Sequence, residues 1–232
     1  MTPYPKYKPS GIEWIGDIPE HWEVKKLKYV AHVRPSNVNK KTEDGEIVIL
    51  LCNYIDVYKN EFIDSSLTFM EASASEDEIA KFTLLKGDVL LTKDSETPDD
   101  IAKPALVRDR MSGVLCGYHL SHITPDRSML LGEYLFRLLQ EPKYNSQFQV
   151  SANGVTRYGI SSGSISGAFA PLPPLPEQTA IANYLDAKIA QIDSLIDQNE
   201  MVFGTSDRKS GLLQEYRTAL ISEVVTGKVK VV

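Results

Sequence analysis

A proline-rich joint followed by a long helical pattern constrains this chain more than any other feature. Residues 171–193 read PLPPLPEQTAIANYLDAKIAQID, with four prolines in the first six positions. Proline is excluded from helix interiors and central strands, but Pro176 suits a first helical turn, and Glu177 complements the positive start of a helix. The sequence therefore predicts a junction at 171–176 that separates a first domain, 1–170, from a helical region, 177–232.

The helical region carries a heptad pattern. Apolar or seam residues recur at alternating steps of three and four, which indicates a coiled-coil seam. The recurring positions are Ala182, Leu185, Ile189, Ile192, Ile196, Asn199 and Phe203. A helix over 177–203 would be about 40 Å long, too long for its own domain to cover, so a partner helix is required.

Two glycines and two seam serines interrupt this pattern at 204–211, after which the seam resumes in phase. One continuous helix with a weak middle and two helices joined by a loop are both compatible with the sequence. The residues predicted to mediate dimerisation are Leu185, Ile189, Ile192, Ile196, Phe203, Leu213 and Leu220.

Residues 1–170 mix strand and helix patterns. β-branched and aromatic residues predict strands over 47–58, 87–93 and 113–124, and helical spacing predicts helices over 73–82 and 130–140. The fold class is therefore α+β: a mixed α/β domain followed by a long coiled-coil-type helix or helix pair.

Composition excludes several classes of protein. Of the 232 residues 42% are hydrophobic, which is enough for a sizeable core, but no run approaches the length that a membrane span needs. Two cysteines and no secretion signal favour a cytoplasmic protein. A net charge of −6 argues mildly against nucleic-acid binding, although lysines and one arginine cluster over 21–41, against an acidic 71–100.

Catalytic motifs are absent from the sequence. It contains no dinucleotide fingerprint, phosphate loop or nucleophile elbow. Segment 98–103 lacks the second separated carboxylate that a nuclease site needs. Cys116, His119 and His122 offer three ligands without a fourth, and strand alternation sends His119 to the opposite face from the other two. We expect no metal, no cofactor and no catalysis, and interpret the chain as a binding module.

Four segments resemble the specificity subunits of type I restriction–modification systems. They are SGIEWIGDIPEHWEVKKLK (10–28), GDVLLTKDSETPDD (87–100), PLPPLPEQTAIANYLD (171–186) and EYRTALISEVVTGKVKV (215–231). The resemblance implies a target recognition domain that reads half of a bipartite DNA site, and a helical region that sets spacing and docks methyltransferase subunits. Methylation, and ATP-dependent cleavage where a restriction subunit is present, would belong to those partners.

Members of that family usually hold two such units in tandem, and this chain resembles one. We therefore expect a homodimer that reads a two-fold-symmetric, interrupted sequence in double-stranded DNA. The alternatives are a fragment that completes a separate half-subunit and a protein–protein scaffold that shares only the coiled-coil end. The helical region is about one heptad longer than the resemblance implies, with the surplus placed at 204–211.

Candidate DNA-contacting residues come from loops that combine glycine turns with polar side chains. Arginine can bind guanine bidentately and asparagine can bind adenine, so the loop 152–159 is the best base-reading candidate, with an ordinary surface turn as its alternative. Two lysines after the polar turn at 35–37 are candidate phosphate anchors. The predicted set is Lys40, Lys41, Lys93, Ser95, Tyr118, His119, Asn153, Thr156, Arg157 and Tyr158.

Overall fold

The computed structural model describes residues 2–203 and 208–231, without the side chain of Phe203. The strands are β1 (Tyr7–Pro9), β2 (Asp17–Pro19), β3 (Glu23–Lys26), β4 (Ala31–Pro35), β5 (Ile47–Cys52), β6 (Phe62–Ile63), β7 (Met70–Ala74), β8 (Val89–Thr92), β9 (Asp94–Ser95), β10 (Pro104–Val107), β11 (Val114–Cys116), β12 (Leu120–Pro125), β13 (Tyr158–Gly159) and β14 (Phe169–Leu172). The helices are α1 (Tyr54–Lys59), α2 (Glu76–Phe82), α3 (Gly132–Leu139), α4 (Pro142–Ser151), α5 (Ser162–Gly167), α6 (Leu175–Phe203) and α7 (Arg208–Val225).

Two sheets organise the first part of the chain. One has five strands in the order β4-β12-β8-β10-β6, antiparallel except for the β10–β6 pair. The other has three strands in the order β11-β5-β7. Both faces of the central strand β8 are buried, because Leu90 packs in the core with the three-stranded sheet while Val89 and Leu91 pack in the core with the helices. The predicted α+β class is confirmed.

The predicted strand over 47–58 is wrong in its second half. β5 ends at Cys52, and α1 begins after Asn53, whose side chain and backbone form a capping box with Asp56. The backbone N–H of Asn53 donates to Asp56 Oδ2 at 2.7 Å. A reciprocal cap of this kind satisfies two orphan donors and starts a helix despite the high strand propensity of the flanking residues.

The predicted strand over 113–124 is divided into β11 and β12. Gly117 lies so close to the neighbouring strand that a Cβ there would be 2.6 Å from the carbonyl oxygen of Cys52. His119 adopts a left-handed backbone conformation with φ 73°. This close approach at Gly117 turns the chain between the two sheets. The predicted helices over 73–82 and 130–140 are present as α2 and α3.

The N- and C-terminal segments lie side by side. β14 pairs with β3, and a β-bridge joins Thr2 to Lys230. One buried hydrophobic cluster extends from Tyr4 to Val225 and includes the fully buried Trp22. The boundary predicted at 170/171 falls within β14, so the two predicted regions share this core.

The helical region forms a hairpin rather than one continuous helix. α6 has 29 residues, about 44 Å at 1.5 Å per residue. α7 runs antiparallel to it, since Asn199 Nδ2 donates to Ser210 Oγ at 2.9 Å and, later in α7 and earlier in α6, Arg217 Nε donates to Asp193 Oδ1 at 3.0 Å. Of the predicted interruption, 208–211 forms the first turn of α7, while 204–207 lies outside the described residues.

This hairpin corrects the interpretation of the heptad seam. The sequence argument assumed a lone helix with an exposed apolar stripe, but α7 and the first domain cover that stripe within the same chain. Leu213 packs partly buried against the core, and Phe203 is not described beyond its backbone. The remaining predicted dimerisation residues are buried in the chain itself: Leu185, Ile189, Ile192, Ile196 and Leu220.

An ion-pair network fixes the hairpin against the first domain. Arg137 of α3 donates from Nε and Nη2 to Asp186 Oδ1 of α6 at 3.0 and 2.6 Å. Arg217 of α7 contacts Asp193 of α6, and Glu61 bridges both guanidinium groups. The network joins α3, α6, α7 and the segment before β6, which sets the direction in which the hairpin leaves the domain.

Candidate nucleic-acid interface

The candidate interface forms where β8 ends and the antiparallel β12 begins. The backbone N–H of Lys93, just beyond β8, donates to the His119 carbonyl at 3.1 Å, and that of Tyr118 donates to Val38 at 2.8 Å. These bonds hold three loops, those containing 36–38, 93–95 and 117–119, at one end of the strands of the five-stranded sheet. This end of the sheet therefore presents polar loop residues on a rigid support, which is the usual place for binding groups.

His119 lies at the centre of this end of the sheet. Its Nδ1 is hydrogen-bonded to the carboxylate of Asp94, and its ring lies 3.6 Å, centroid to centroid, from the half-exposed ring of Tyr118. Lys93 Nζ stands 5.9 Å from the centre of the Tyr118 ring, a cation–π arrangement. Two rings, a carboxylate and an ammonium thus converge on one patch of surface.

A fourth loop, 153–159, lies beside this patch because β9 pairs with β13. Tyr158 is opposite Ser95 in the register, and Asn153 exchanges backbone hydrogen bonds of 3.0 and 2.9 Å with Gly159. Gly154 is required at the tip, since a Cβ there would be 2.0 Å from the carbonyl oxygen of Arg157. The tight turn leaves the residues between Gly154 and Tyr158 exposed to solvent.

A cleft of about 420 Å³ separates the tip of this loop from α1. Its walls include Tyr54 and Tyr58, whose rings stack 5.6 Å apart with an interplanar angle of 17°. Tyr58 donates from its hydroxyl to Asp100 Oδ2 at 2.6 Å, and Arg157 lines the opposite side. Aromatic faces and hydrogen-bonding groups therefore share one opening.

Carboxylates dominate the charge of the cleft. Burial, and then the charge of Asp100, raises the pKa of Tyr54, while Arg157 opposes the shift. The hydrogen bond to Asp100 raises the pKa of Tyr58. Both hydroxyls therefore remain protonated donors at neutral pH. The carboxylates of Asp94, Glu96 and Asp100 disfavour phosphate inside the cleft and favour groups that donate hydrogen bonds.

The structure brings most of the predicted DNA-contacting residues onto this face. They come from three segments far apart in the sequence: Lys93, Ser95, Tyr118, His119, Asn153, Thr156, Arg157 and Tyr158. Lys40 and Lys41 are exposed beyond Val38, beside β7, where the carbonyl of Lys41 accepts from Ser73. They lie at the rim of the face rather than in the cleft.

Sequence reasoning missed the two tyrosines and Asp100. Tyr54 and Tyr58 were assigned to a strand, which would have placed them one after another on the same buried face. The spacing Asn53-x-x-Asp56 was the signal that a helix starts there, and an i, i+4 pair on a helix stacks its rings. Asp100 was considered only as part of a nuclease-like cluster.

Within 2–203 and 208–231, no group of three or more His, Cys, Asp and Glu side chains is placed to hold a metal ion. Over the same ranges, no helix has the length and apolarity needed to cross a membrane.

A face built from loops at one end of a rigid sheet, next to a helical hairpin, is typical of a binding protein. A match to a family model shows which family of binding proteins this is. Residues 19–201 match the type I restriction modification DNA specificity domain, and the chain belongs to this family. The alternative of a scaffold that shares only a coiled coil is not favoured.

Related proteins agree with this assignment. The chain is 27% identical over 211 residues to a Methanocaldococcus jannaschii protein assigned as the MjaX type I restriction enzyme specificity subunit, covering 90% of this chain and 48% of that protein. It is 33% identical over 102 residues to the EcoBI specificity subunit of Escherichia coli, covering 39% and 20%.

The fold is likewise similar to solved structures. The HsdS subunit from Thermoanaerobacter tengcongensis superposes with a TM-score of 0.55 at 19% identity, covering 79% of this chain and 47% of that one. A chain from a type I R-M system complex gives 0.58 at 17% identity, covering 92% and 48%. The chain thus spans about half the length of these relatives.

Proposed function

We propose that this chain is a DNA sequence-recognition subunit of a type I restriction–modification complex, working in the cytoplasm. The observation that carries the proposal is the polar face on which predicted DNA-contacting residues from three separate segments of the chain converge. In this function the chain performs no chemistry itself. It directs methyltransferase subunits, and a restriction subunit where one exists, to one bipartite site in double-stranded DNA.

The rim and the centre of the face carry side chains that suit different contacts with DNA. Lys40 and Lys41 at the rim would neutralise phosphates, which contributes affinity and positions the domain without reading sequence. The loop that ends at Tyr158 would enter a groove of the DNA beside the cleft, so that Arg157 and the exposed amide of Asn153 contact base edges. Asparagine and arginine have the donor and acceptor geometry for adenine and guanine respectively.

Methylome sequencing of the source cell with and without this chain tests the function. The expected result is that one bipartite motif loses its methylated adenines while every other methylated motif is retained. Restoring the chain should restore that motif. If no motif changes, the chain does not direct methylation and the proposed function is wrong.

We further propose that two copies associate through the outer face of the hairpin. Four apolar side chains on this face, two from each helix, are about half exposed or more: Leu195, Val202, Leu212 and Tyr216. Leu195 and Val202 are seven residues apart and share one side of α6, while Leu212 and Tyr216 are four apart and share one side of α7. Each helix therefore carries an exposed apolar stripe.

A second copy is the occupant that fits this surface. The resemblance to tandem specificity subunits implies that two recognition units work together, and a two-fold pairing would bury each copy's stripe against the same stripe of the other. Pairing by this outer face leaves the internal seam of each hairpin intact. It would hold two recognition faces at a fixed separation.

Analytical ultracentrifugation at micromolar concentration tests the pairing. The wild-type chain should sediment as a dimer, and a variant carrying both Leu212→Glu and Tyr216→Glu should sediment as a monomer. Val150→Glu, an 88% exposed site on α4, is the matched control and should remain dimeric. A monomeric wild type, or a chain that pairs only with a different half-subunit, would refute the homodimer.

A further inference from the structure

His119 is a constrained, partly exposed side chain of the candidate interface. Its backbone is left-handed at φ 73°, a conformation that non-glycine residues adopt at a cost, and its side chain is 24% exposed. The ring is held by Asp94 on one edge and packed against Tyr118 on its face. A side chain held in this way loses little rotamer freedom when it binds a ligand, which favours affinity and selectivity.

The partner of Nδ1 determines what the other ring nitrogen can do. An ionised carboxylate only accepts hydrogen bonds, so Asp94 keeps the proton of the neutral imidazole on Nδ1. Nε2 then carries a lone pair and is an acceptor. Within the described residues no hydrogen bond occupies Nε2, so this acceptor is available to a ligand.

The surroundings select the kind of group that can approach Nε2. The Asp94 carboxylate beside the ring and exposed Glu96 oppose the approach of a phosphate, and the Lys93 ammonium, 5.9 Å from the centre of the Tyr118 ring, offsets only part of their charge. A donor on an uncharged planar group meets neither penalty, and the exposed ring of Tyr118 offers it an apolar surface. In the major groove, the exocyclic amino groups of adenine (N6) and cytosine (N4) are such donors, whereas guanine and thymine present acceptors at the equivalent place.

We propose that His119 is a base-reading residue that accepts a hydrogen bond from the amino group of adenine or cytosine at one position of the target, with Asp94 fixing the required tautomer. The assignment rests on the proposed DNA-recognition function and deepens it. Asp94 is a positioning residue here, because it acts through the ring of His119 and not by contact with the base.

Selection from a randomised DNA library, using the full chain assembled with its methyltransferase subunits, tests this. His119→Gly removes the ring and also relaxes the left-handed backbone, so it is not expected to disturb folding. One position that the wild type restricts to adenine or cytosine should lose its preference by about tenfold, the value of one hydrogen bond, while all other positions keep theirs. His32→Ala, an exposed histidine at the far end of β4, is the matched control and should change nothing.

Asp94→Asn gives a readout that a structural role would not produce. The asparagine amide can accept from Nδ1 through its oxygen or donate to Nδ1 through its nitrogen, so the ring proton is no longer confined to Nδ1 and Nε2 becomes a donor in part of the molecules. Preference at the same position should therefore shift from adenine or cytosine towards guanine or thymine. Because this change is nearly isosteric, it also decides the question if His119→Gly does not fold.

The outcomes separate this inference from the function on which it rests. If the wild-type complex selects no sequence, the proposed function itself fails. If the wild type selects a motif and His119→Gly leaves every position unchanged, or weakens all positions equally, recognition stands but His119 does not read a base. The expected result is one position of the target at which His119→Gly removes the base preference and Asp94→Asn shifts that preference towards guanine or thymine.

Discussion

The buried guanidinium of Arg137 provides the sharpest test of how the hairpin is held. Its side chain is 2% exposed, while its two acidic partners, Asp186 and Glu61, are 38% and 36% exposed. Removing the acid leaves a buried cation without its main partner. Removing the cation leaves carboxylates that water can still reach. The two halves of one ion pair should therefore have very different effects on stability.

Asp186→Ala should cost about 2–3 kcal/mol in the free energy of unfolding. Breaking a fully buried pair from one side costs about 3–5 kcal/mol, and the value is reduced here because Asp186 is partly exposed and Glu61 remains near the cation. Arg137→Met should cost only about 0–1 kcal/mol, since an apolar side chain of similar length fills the site and the freed carboxylates hydrate. The double variant should match Arg137→Met alone, because the alanine then removes nothing further.

Chemical denaturation followed by far-UV circular dichroism measures these differences, and thermal scans check them. For a chain of this size about 2–3 kcal/mol corresponds to a fall in Tm of roughly 4–12 °C. Equal costs for the two single variants, or a larger cost for Arg137→Met, would refute the reasoning. So would a double variant that is less stable than Asp186→Ala.

Three further predictions concern the candidate interface. Replacing Lys40 and Lys41 with alanine should lower the slope of log binding constant against log salt by up to about two units without altering base preference. Fluorescence anisotropy over a salt series measures this slope, and an unchanged slope would contradict phosphate contact. Arg157→Ala should relax selectivity at one position of the target at a cost of about 1–3 kcal/mol, measured by library selection, whereas a uniform loss across sequences would mean that Arg157 reads no base. Gly154→Ala should abolish selectivity while leaving Tm nearly unchanged, because its Cβ would collide with the carbonyl oxygen of Arg157 in an exposed loop; Gly167→Ala, where nothing lies within 4 Å of the new Cβ, is the control and should behave as wild type.

Local chemistry explains where sequence reasoning succeeded. The helix α2 begins after Ser75, which forms a capping box with Glu78, and Pro173 and Pro174 lie between the end of β14 and the start of α6. These signals act between residues close in the chain, so the sequence carries them in full. The capping box at Asn53 was equally local but was overlooked because strand-forming residues flank it on both sides.

Longer-range contacts explain where sequence reasoning failed. The heptad pattern of α6 shows which side of the helix is buried, but not against what. The pattern is the same whether the covering helix belongs to a second copy or, as here, to α7 of the same chain. The buried Arg137 of α3 was likewise unpredictable, because its partners at Glu61 and Asp186 are distant in sequence.

The candidate interface was predicted as a set of residues but not as a surface. Glycines and polar side chains marked the three loops, and the resemblance to specificity subunits gave them a role. That Asp94 would hold His119, or that α1 would bring Tyr54 to the cleft beside Arg157, depended on the turn at Gly117 and the pairing of β9 with β13.

The sequence by itself determined the class of fold and the family, because caps, periodicity and motifs are properties of short segments. The tertiary structure alone decided the direction of α7, the burial of the heptad seam and the arrangement of the recognition face. Those features arise from contacts between distant segments, whose free energies depend on which surfaces meet in the folded chain. A residue pattern specifies which surfaces are apolar, and only packing specifies their partners.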